Sequence, residues 1–360
     1  MTASQLLYHK WLAQMIELLP DREHKKRIQS FVKLLVGLFY GNGIHLQQIA
    51  QGLAGQAQQT SKVRGLLRVV DNDKIRVRRW YEPIASRFLS AASRSGQPLR
   101  LLLDGSKVGN GHQLLMVALA YRRRAIPLIW TWRKGSRGHS PAYAQIALLA
   151  AARRLIPAGC EVVVCGDSEF GSIPLIQRLE QWNWFYILRQ KGRNLWRTTS
   201  SAAWQRCDTL VSTSGQRAWQ PAVQLTKSHA HTTNLFALWT RGEDQPWLLA
   251  SNLDDPYYIR LHYSRRAWIE NFFGDCKRQG FDLEATRLQH FTRLNRLMLA
   301  VAILTVWLLA FGSYVIKRGW RFLVDRTDRR DLSLFRIGWE MVHRLLNNGE
   351  PLSLRLLPYF

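Results

Sequence analysis

The stretch Tyr263-Ser264-Arg265-Arg266-Ala267-Trp268-Ile269-Glu270-Asn271-Phe272-Phe273-Gly274-Asp275-Cys276-Lys277 reads as one amphipathic helix. Arg266 stands one turn before Glu270, Tyr263 two turns before it and Lys277 two turns after it. At about 100° per residue these four side chains fall within a sector of about 60°. Ile269 and Phe273 lie nearer the buried side of the helix. Such a stripe can hold a metal through its carboxylate while the cations and the phenol grip phosphate oxygens. It can also be a solvated ladder of intrahelical ion pairs. The stripe alone leaves both readings open.

Two further acids stand out upstream. Leu101-Leu102-Leu103-Asp104 and Val162-Val163-Val164-Cys165-Gly166-Asp167 are apolar, strand-like runs that each end in a carboxylate. Open sheets place their chemistry at strand ends, although an Asp in that position also serves to cap a turn. Between and after them, Leu114 to Tyr121, Ile126 to Trp132 and Phe185 to Leu188 read as strands. Helices are expected from Ser140-Pro141, with Pro at the first helical position, to about Leu155, and from about Ile173 to Trp182. The order β-β-β-α-β-α-β is that of an α/β mixed sheet flanked by helices.

Other stretches fill in the organisation. Residues 1–95 carry apolar positions at helical spacing, as in Ile28, Phe31, Val32, Leu35, Val36 and Phe39. Gly41-Asn42-Gly43 breaks that pattern. A short helix from Leu46 to Leu53 and a second from Lys62 to Val70, with Ser61 as its N-cap, resemble a helix-turn-helix. Lys62, Arg64 and Arg68 would then face DNA, although any small helical bundle gives the same pattern. Residues 191–255 turn rich in Thr, Ser, Gln and Trp, which suggests a β-rich insertion. Helix resumes at 256. The expected units are therefore 1–95, 96–190, 191–255, 256–320 and 321–360.

Composition narrows the partners. The chain has 360 residues, 47% of them hydrophobic, so it can bury a core. Lys and Arg number 51 against 25 Asp and Glu, a formal charge of +26, which calls for a polyanion. A packing protein of the ribosomal or chromatin kind would share the charge but is usually poorer in Trp than this chain, which has 15. The four cysteines show neither C-x-x-C nor zinc spacing. A reducing, cytoplasmic setting follows, and no signal peptide is evident. Leu297 to Ile316 carries no charge and is long enough to span a bilayer. Its basic flanks, Arg293 and Arg296 before and Lys317, Arg318 and Arg321 after, show no sidedness, so a buried core helix is the expectation.

Together these residues resemble a family. The pattern Tyr263, Arg266, Glu270, Lys277 is similar to the Y-R-E-K signature of bacterial DDE insertion-sequence transposases of the cut-and-paste type. Leu103-Asp104-Gly105-Ser106-Lys107, Ala125-Ile126-Pro127-Leu128, Gly166-Asp167-Ser168-Glu169-Phe170-Gly171 and Phe281-Asp282-Leu283-Glu284-Ala285-Thr286 resemble that family's other conserved stretches. Where the family often has a basic residue after its second Asp, this chain has Ser168-Glu169. The resemblance covers roughly 100–295. It implies a ribonuclease-H-like fold with the β insertion; residues 1–95, which resemble the family only loosely, are expected from their helix-turn-helix-like pattern to be a helical DNA-binding domain. It implies Asp104, Asp167 and Glu270 as catalytic metal ligands for two Mg²⁺ ions, with Mn²⁺ able to substitute and Asp104 bridging the pair. It implies cleavage at the element's double-stranded ends and transfer of the 3′-OH into target DNA, by a homodimer on the DNA in the bacterial nucleoid. Tyr263, Arg266 and Lys277 would position phosphates. One Trp of the insertion, among Trp204, Trp219, Trp239 and Trp247, would stack a displaced base, with Trp239 preferred. A non-catalytic DNA-binding regulator with the same fold and a single-span membrane protein are the alternatives.

Overall fold

The computed structural model describes residues 2–19, 23–41, 43–109, 111–135, 140–277, 280–353 and 356–359. Asn42, in the expected helix break, lies outside them. Strands β1 (Leu99–Val108), β2 (His112–Tyr121) and β3 (Arg124–Lys134) form an antiparallel meander. Helix α6 (Ala142–Arg153) leads to β4 (Val162–Gly166), and α7 (Ile173–Gln181) leads to β5 (Phe185–Arg189). β4 pairs parallel with both β1 and β5. Every residue of β4 is buried, which is why it reads as an unbroken apolar run rather than an alternating one.

The insertion adds strands to the same sheet instead of forming a separate one. β6 (Leu195–Arg197), β7 (Gln205–Arg206), β8 (Arg217–Leu225), β9 (His231–Leu238) and β10 (Trp247–Ser251) give ten strands in the order β3-β2-β1-β4-β5-β10-β9-β8-β6-β7. The fold is thus a mixed α/β sheet with helices packed on it.

Helices α1 (Ala3–Leu18), α2 (Lys25–Tyr40), α3 (Leu46–Gln51), α4 (Gln59–Asp71) and α5 (Val77–Ser93) precede the sheet. They gather around α10 (Phe291–Lys317), with α11 (Leu334–Asn347) on another side. Trp11 of α1 stacks on Trp307 of α10, centroids 5.5 Å apart. Tyr81 of α5 donates to the Pro127 carbonyl of β3 at 2.7 Å, and Trp130 of β3 donates to Asn295 of α10 at 2.7 Å. α10 is apolar all round because protein surrounds it: 89% of its most apolar window is buried. By length and composition it could cross a membrane. Its basic flanks, however, are tied to the protein. Arg293 pairs with Asp71, and buried Arg296 donates to the carbonyls of Val70 and Ile75, satisfying the end of α4.

Several expectations need correction. The stretch 263–277 is two helices, α8 (Pro256–Tyr263) and α9 (Ala267–Cys276). Between them Arg265, Arg266, Trp268 and Ile269 bond back to the carbonyls three residues before, so the turn tightens and the 100° register slips. Lys277 lies past the end of α9. Asp104 sits within β1, not at its end, because Gly105 to Val108 go on pairing with β2. α4 begins at Gln59, so Ser61 is inside it and caps nothing. Pro141 is the N-cap of α6 rather than its first helical residue.

Candidate active site

The parallel ladder of β1 and β4 ends on the pair Leu103 and Gly166. The next residue of each strand is an acid, so Asp104 and Asp167 arrive at the same level of the sheet. Asp104 is 1% exposed, and its Oδ1 accepts from the Gly105 N–H at 2.7 Å. Asp167 Oδ1 accepts from the Glu169 N–H at 2.8 Å, which closes the turn after β4. Glu270, in the first turn of α9, is exposed. Arg266 spans the gap. Its Nη2 pairs with Glu270 and its Nη1 lies 3.7 Å from Asp104 Oδ2. One guanidinium therefore links the β1 acid to the α9 acid.

The rest of the stripe behaves differently. Tyr263 is buried, with its ring against Trp247 at 5.0 Å, and its hydroxyl has no hydrogen-bond partner among the described residues. Burial holds its phenol well above the ordinary value. Lys277 pairs with Glu284 at 2.7 Å. Trp239 follows β9 and donates to the Glu243 carbonyl at 2.9 Å, inside its own hairpin turn. Because β9, β10 and β5 run alternately, Trp239 and Trp247 share the sheet edge where β4 ends in Asp167. Of the two, Trp247 touches Tyr263. Trp204 lies under Arg197, and Trp219 is half-buried on β8. On α4, Arg64 and Arg68 are exposed, whereas Lys62 donates to the Leu53 carbonyl at 2.6 Å and helps close α3.

Sequence reasoning missed the support behind Asp167. Glu169 accepts from the Ser140 N–H at 2.8 Å, from the Ser140 hydroxyl and from Gln113 Nε2 at 3.1 Å. Buried Gln145 donates to the Ser140 carbonyl at 2.9 Å and to the Glu169 carbonyl at 3.3 Å. Gln113 also lies over Gly105, where a Cβ would come within 2.7 Å of its Nε2. The turn holding Asp167, the strand holding Asp104 and the start of α6 are thereby joined. The one signal in the sequence was a glutamine at the head of the apolar run that becomes β2.

Among the described residues, no group of three or more His, Cys, Asp or Glu is gathered to hold a metal ion. The Arg266 guanidinium stands between Asp104 and Glu270. The donors themselves are carboxylate oxygens, which suit Mg²⁺ or Mn²⁺.

Behind this set, buried His262 accepts from Arg100 Nε at 2.8 Å through Nδ1. Burial, then Arg100 and Arg265, push its pKa down to about 4. The folded protein thus keeps His262 neutral, while the unfolded chain protonates it below about 6.5. Stability from this source is full above pH 6.5 and is lost as pH falls toward 4, by up to about 3 kcal/mol. His262→Gln, which can still accept from Arg100, should flatten that part of the stability profile. Parallel denaturation midpoints for both proteins from pH 7 to 4 would refute the assignment.

A family model falls on the segment that holds these acids. Residues 92–307 match the family model described as a transposase DDE domain. The chain belongs to this family. The matched segment contains Asp104, Asp167 and Glu270 and runs from the end of α5 into α10. No curated protein matches the chain. Among solved structures, the piggyBac transposase synaptic complex with hairpin DNA aligns over 96% of this chain and 77% of that chain, at 10% identity and a TM-score of 0.45. A likeness of that size adds nothing to the family assignment.

Proposed function

We propose that this transposase cuts DNA at the ends of an insertion sequence and joins the freed 3′-OH to target DNA, with Asp104, Asp167 and Glu270 as its catalytic acids. The observation that carries the reading is the β1–β4 pairing that brings Asp104 and Asp167 to one level of the sheet, with Arg266 linking Asp104 to Glu270 of α9, inside the segment that matches the DDE domain. The strand order β3-β2-β1-β4-β5, with an antiparallel meander beside two parallel strands, supports a ribonuclease-H-like core. The expected setting is a homodimer on double-stranded DNA in the bacterial cytoplasm, with α10 a core helix.

Asp104, Asp167 and Glu270 are the residues that would hold the divalent ions. When bound, such ions stabilise the attacking and leaving oxygens of an in-line displacement. The protein's own part is positional. The Glu169 network fixes the Asp167 turn, and Gly105 fixes Asp104. Arg266 neutralises Asp104 and Glu270 in the protein alone, and its guanidinium would exchange them for a DNA phosphate when DNA binds. Exposed Arg64 and Arg68 on α4 offer further phosphate contacts.

This exchange is testable with Arg266→Ala. Without DNA or divalent ions the variant should melt lower, because Asp104 loses its cation in a buried place. Mg²⁺ should raise its melting point more than it raises the wild type's. Affinity for a duplex carrying the repeats that flank the gene should fall, and the log–log salt slope should shrink by about one. A ladder of ion pairs alone would cost a few tenths of a kcal/mol and leave DNA affinity unchanged. That second pattern would defeat the exchange.

A further inference from the structure

The end of α5, the start of β1, the turn between β2 and β3 and the start of α9 border an open hollow of about 250 Å³. Arg100, Arg122 and Arg265 line it, together with Tyr121 and Trp268. No carboxylate pairs with any of the three guanidiniums among the described residues. Two rest on aromatic faces: Arg265 lies 5.7 Å from the Trp268 centroid and Arg122 lies 5.6 Å from that of Tyr121. The third is held from behind. Arg100 spends its Nε on the neutral, buried His262, which fixes the plane of the guanidinium. Three like charges around one hollow repel each other, and burial adds to the cost at Arg100. Some buried or partly buried cations of the protein pair with acids, as in Arg27 with Glu23 and Arg124 with Asp275, and others with backbone carbonyls, as in Arg296. Arg122 is exposed and Arg100 and Arg265 are half-buried, so the hollow is open to an anion that would offset this repulsion.

We propose that this hollow is an anion site separate from the acid set, and that it takes one backbone phosphate of the bound DNA. The identity of the ligand rests on the transposase reading above. The geometry supports it. Arg265 is adjacent to Arg266, so one turn of chain presents a cation to the acids and another to the hollow. Arg100 precedes Asp104 by four residues of β1, roughly 13 Å along a strand. Phosphates of one DNA strand recur about every 3.4 Å of helix axis, so a duplex running along β1 would bring to the hollow a phosphate a few nucleotides from the scissile bond. Planar guanidiniums on aromatic shelves suit bidentate contact with phosphate oxygens.

The test measures duplex binding against salt, without divalent ions, for wild type, Arg122→Gln, Arg265→Gln and the double variant. Because one phosphate is shared, each single variant should lower the log–log slope by up to about one, and the double by no more than about one. A drop of two in the double variant would mean two separate phosphates and would overturn the single site. Unchanged slopes, with wild-type binding intact, would overturn the hollow as a DNA contact and spare the transposase reading. Failure of the wild type to bind the duplex would overturn both. A parallel melting series in inorganic phosphate separates the sources of the anion. Stabilisation of wild type but not of Arg265→Gln, together with unchanged duplex slopes, would assign the hollow to a free anion instead of DNA.

Discussion

Asp104→Asn, Asp167→Asn and Glu270→Gln are each expected to lower Mg²⁺-dependent nicking of the flanking repeats by roughly 10³-fold or more. Duplex binding should survive in all three, and can tighten, since negative charge leaves a site that must accept a phosphate. The amide variants keep the shape of each side chain. They are the safer choice at Asp104, which is buried beside Arg266. The expected uniformity is itself informative. A turn-capping Asp167 would cost stability but not cleavage, and an ion-paired surface Glu270 would cost neither. Near-wild-type nicking by any one variant removes that residue from the acid set. A wild-type protein that binds the repeats tightly and never cuts them, with Mg²⁺ or Mn²⁺, would instead be a DNA-binding regulator on the same fold.

What the sequence disclosed follows from which features are local. Asp104 and Asp167 stood out because acids are few and each closes an apolar run. Glu270 stood out through its spacing to Arg266, a single-turn relation that survives in the folded helix. Relations over two turns did not survive. Nothing between Ser264 and Arg266 is a Pro or a Gly, so no residue announced the tight turn there. It comes from tertiary anchors, with His262 held by Arg100 on one side and α9 held to β3 through Arg124 and Asp275 at 2.8 Å on the other. The same anchoring ends α9 at Cys276 and hands Lys277 to Glu284. That Trp247 and not Trp239 lies against Tyr263 depends on the register of the hairpin joining β9 to β10, which pattern alone does not give. The Glu169 network draws on residues 113, 140, 145 and 169, and long-range polar contacts of that kind leave little local trace.

Gly338→Val should destabilise the protein by about 3 kcal/mol or more, the largest effect on folding expected here from a single change. α10 and α11 cross at two glycines. A Cβ at Gly338 would stand 2.0 Å from the Leu308 carbonyl oxygen, and one at Gly312 would stand 2.1 Å from that of Leu334. Both obstacles are backbone, so no side-chain rotation relieves them and the helices must part. Parting them uncovers Trp307, Leu308 and Phe311, which are at most 2% exposed. A matched control is Gly65→Ala on α4, where nothing lies within 4 Å of the added methyl. Removing a glycine's backbone freedom there should stabilise the protein by roughly 0.5–1 kcal/mol. Denaturant midpoints for the two variants should therefore move in opposite directions. The pair also separates the two readings of α10. If α10 is a core helix, wild type stays in the soluble fraction and Gly338→Val shifts it toward aggregation and dye binding. If α10 spans a bilayer, wild type itself remains in membranes through high salt and alkaline wash, and the core-helix reading fails.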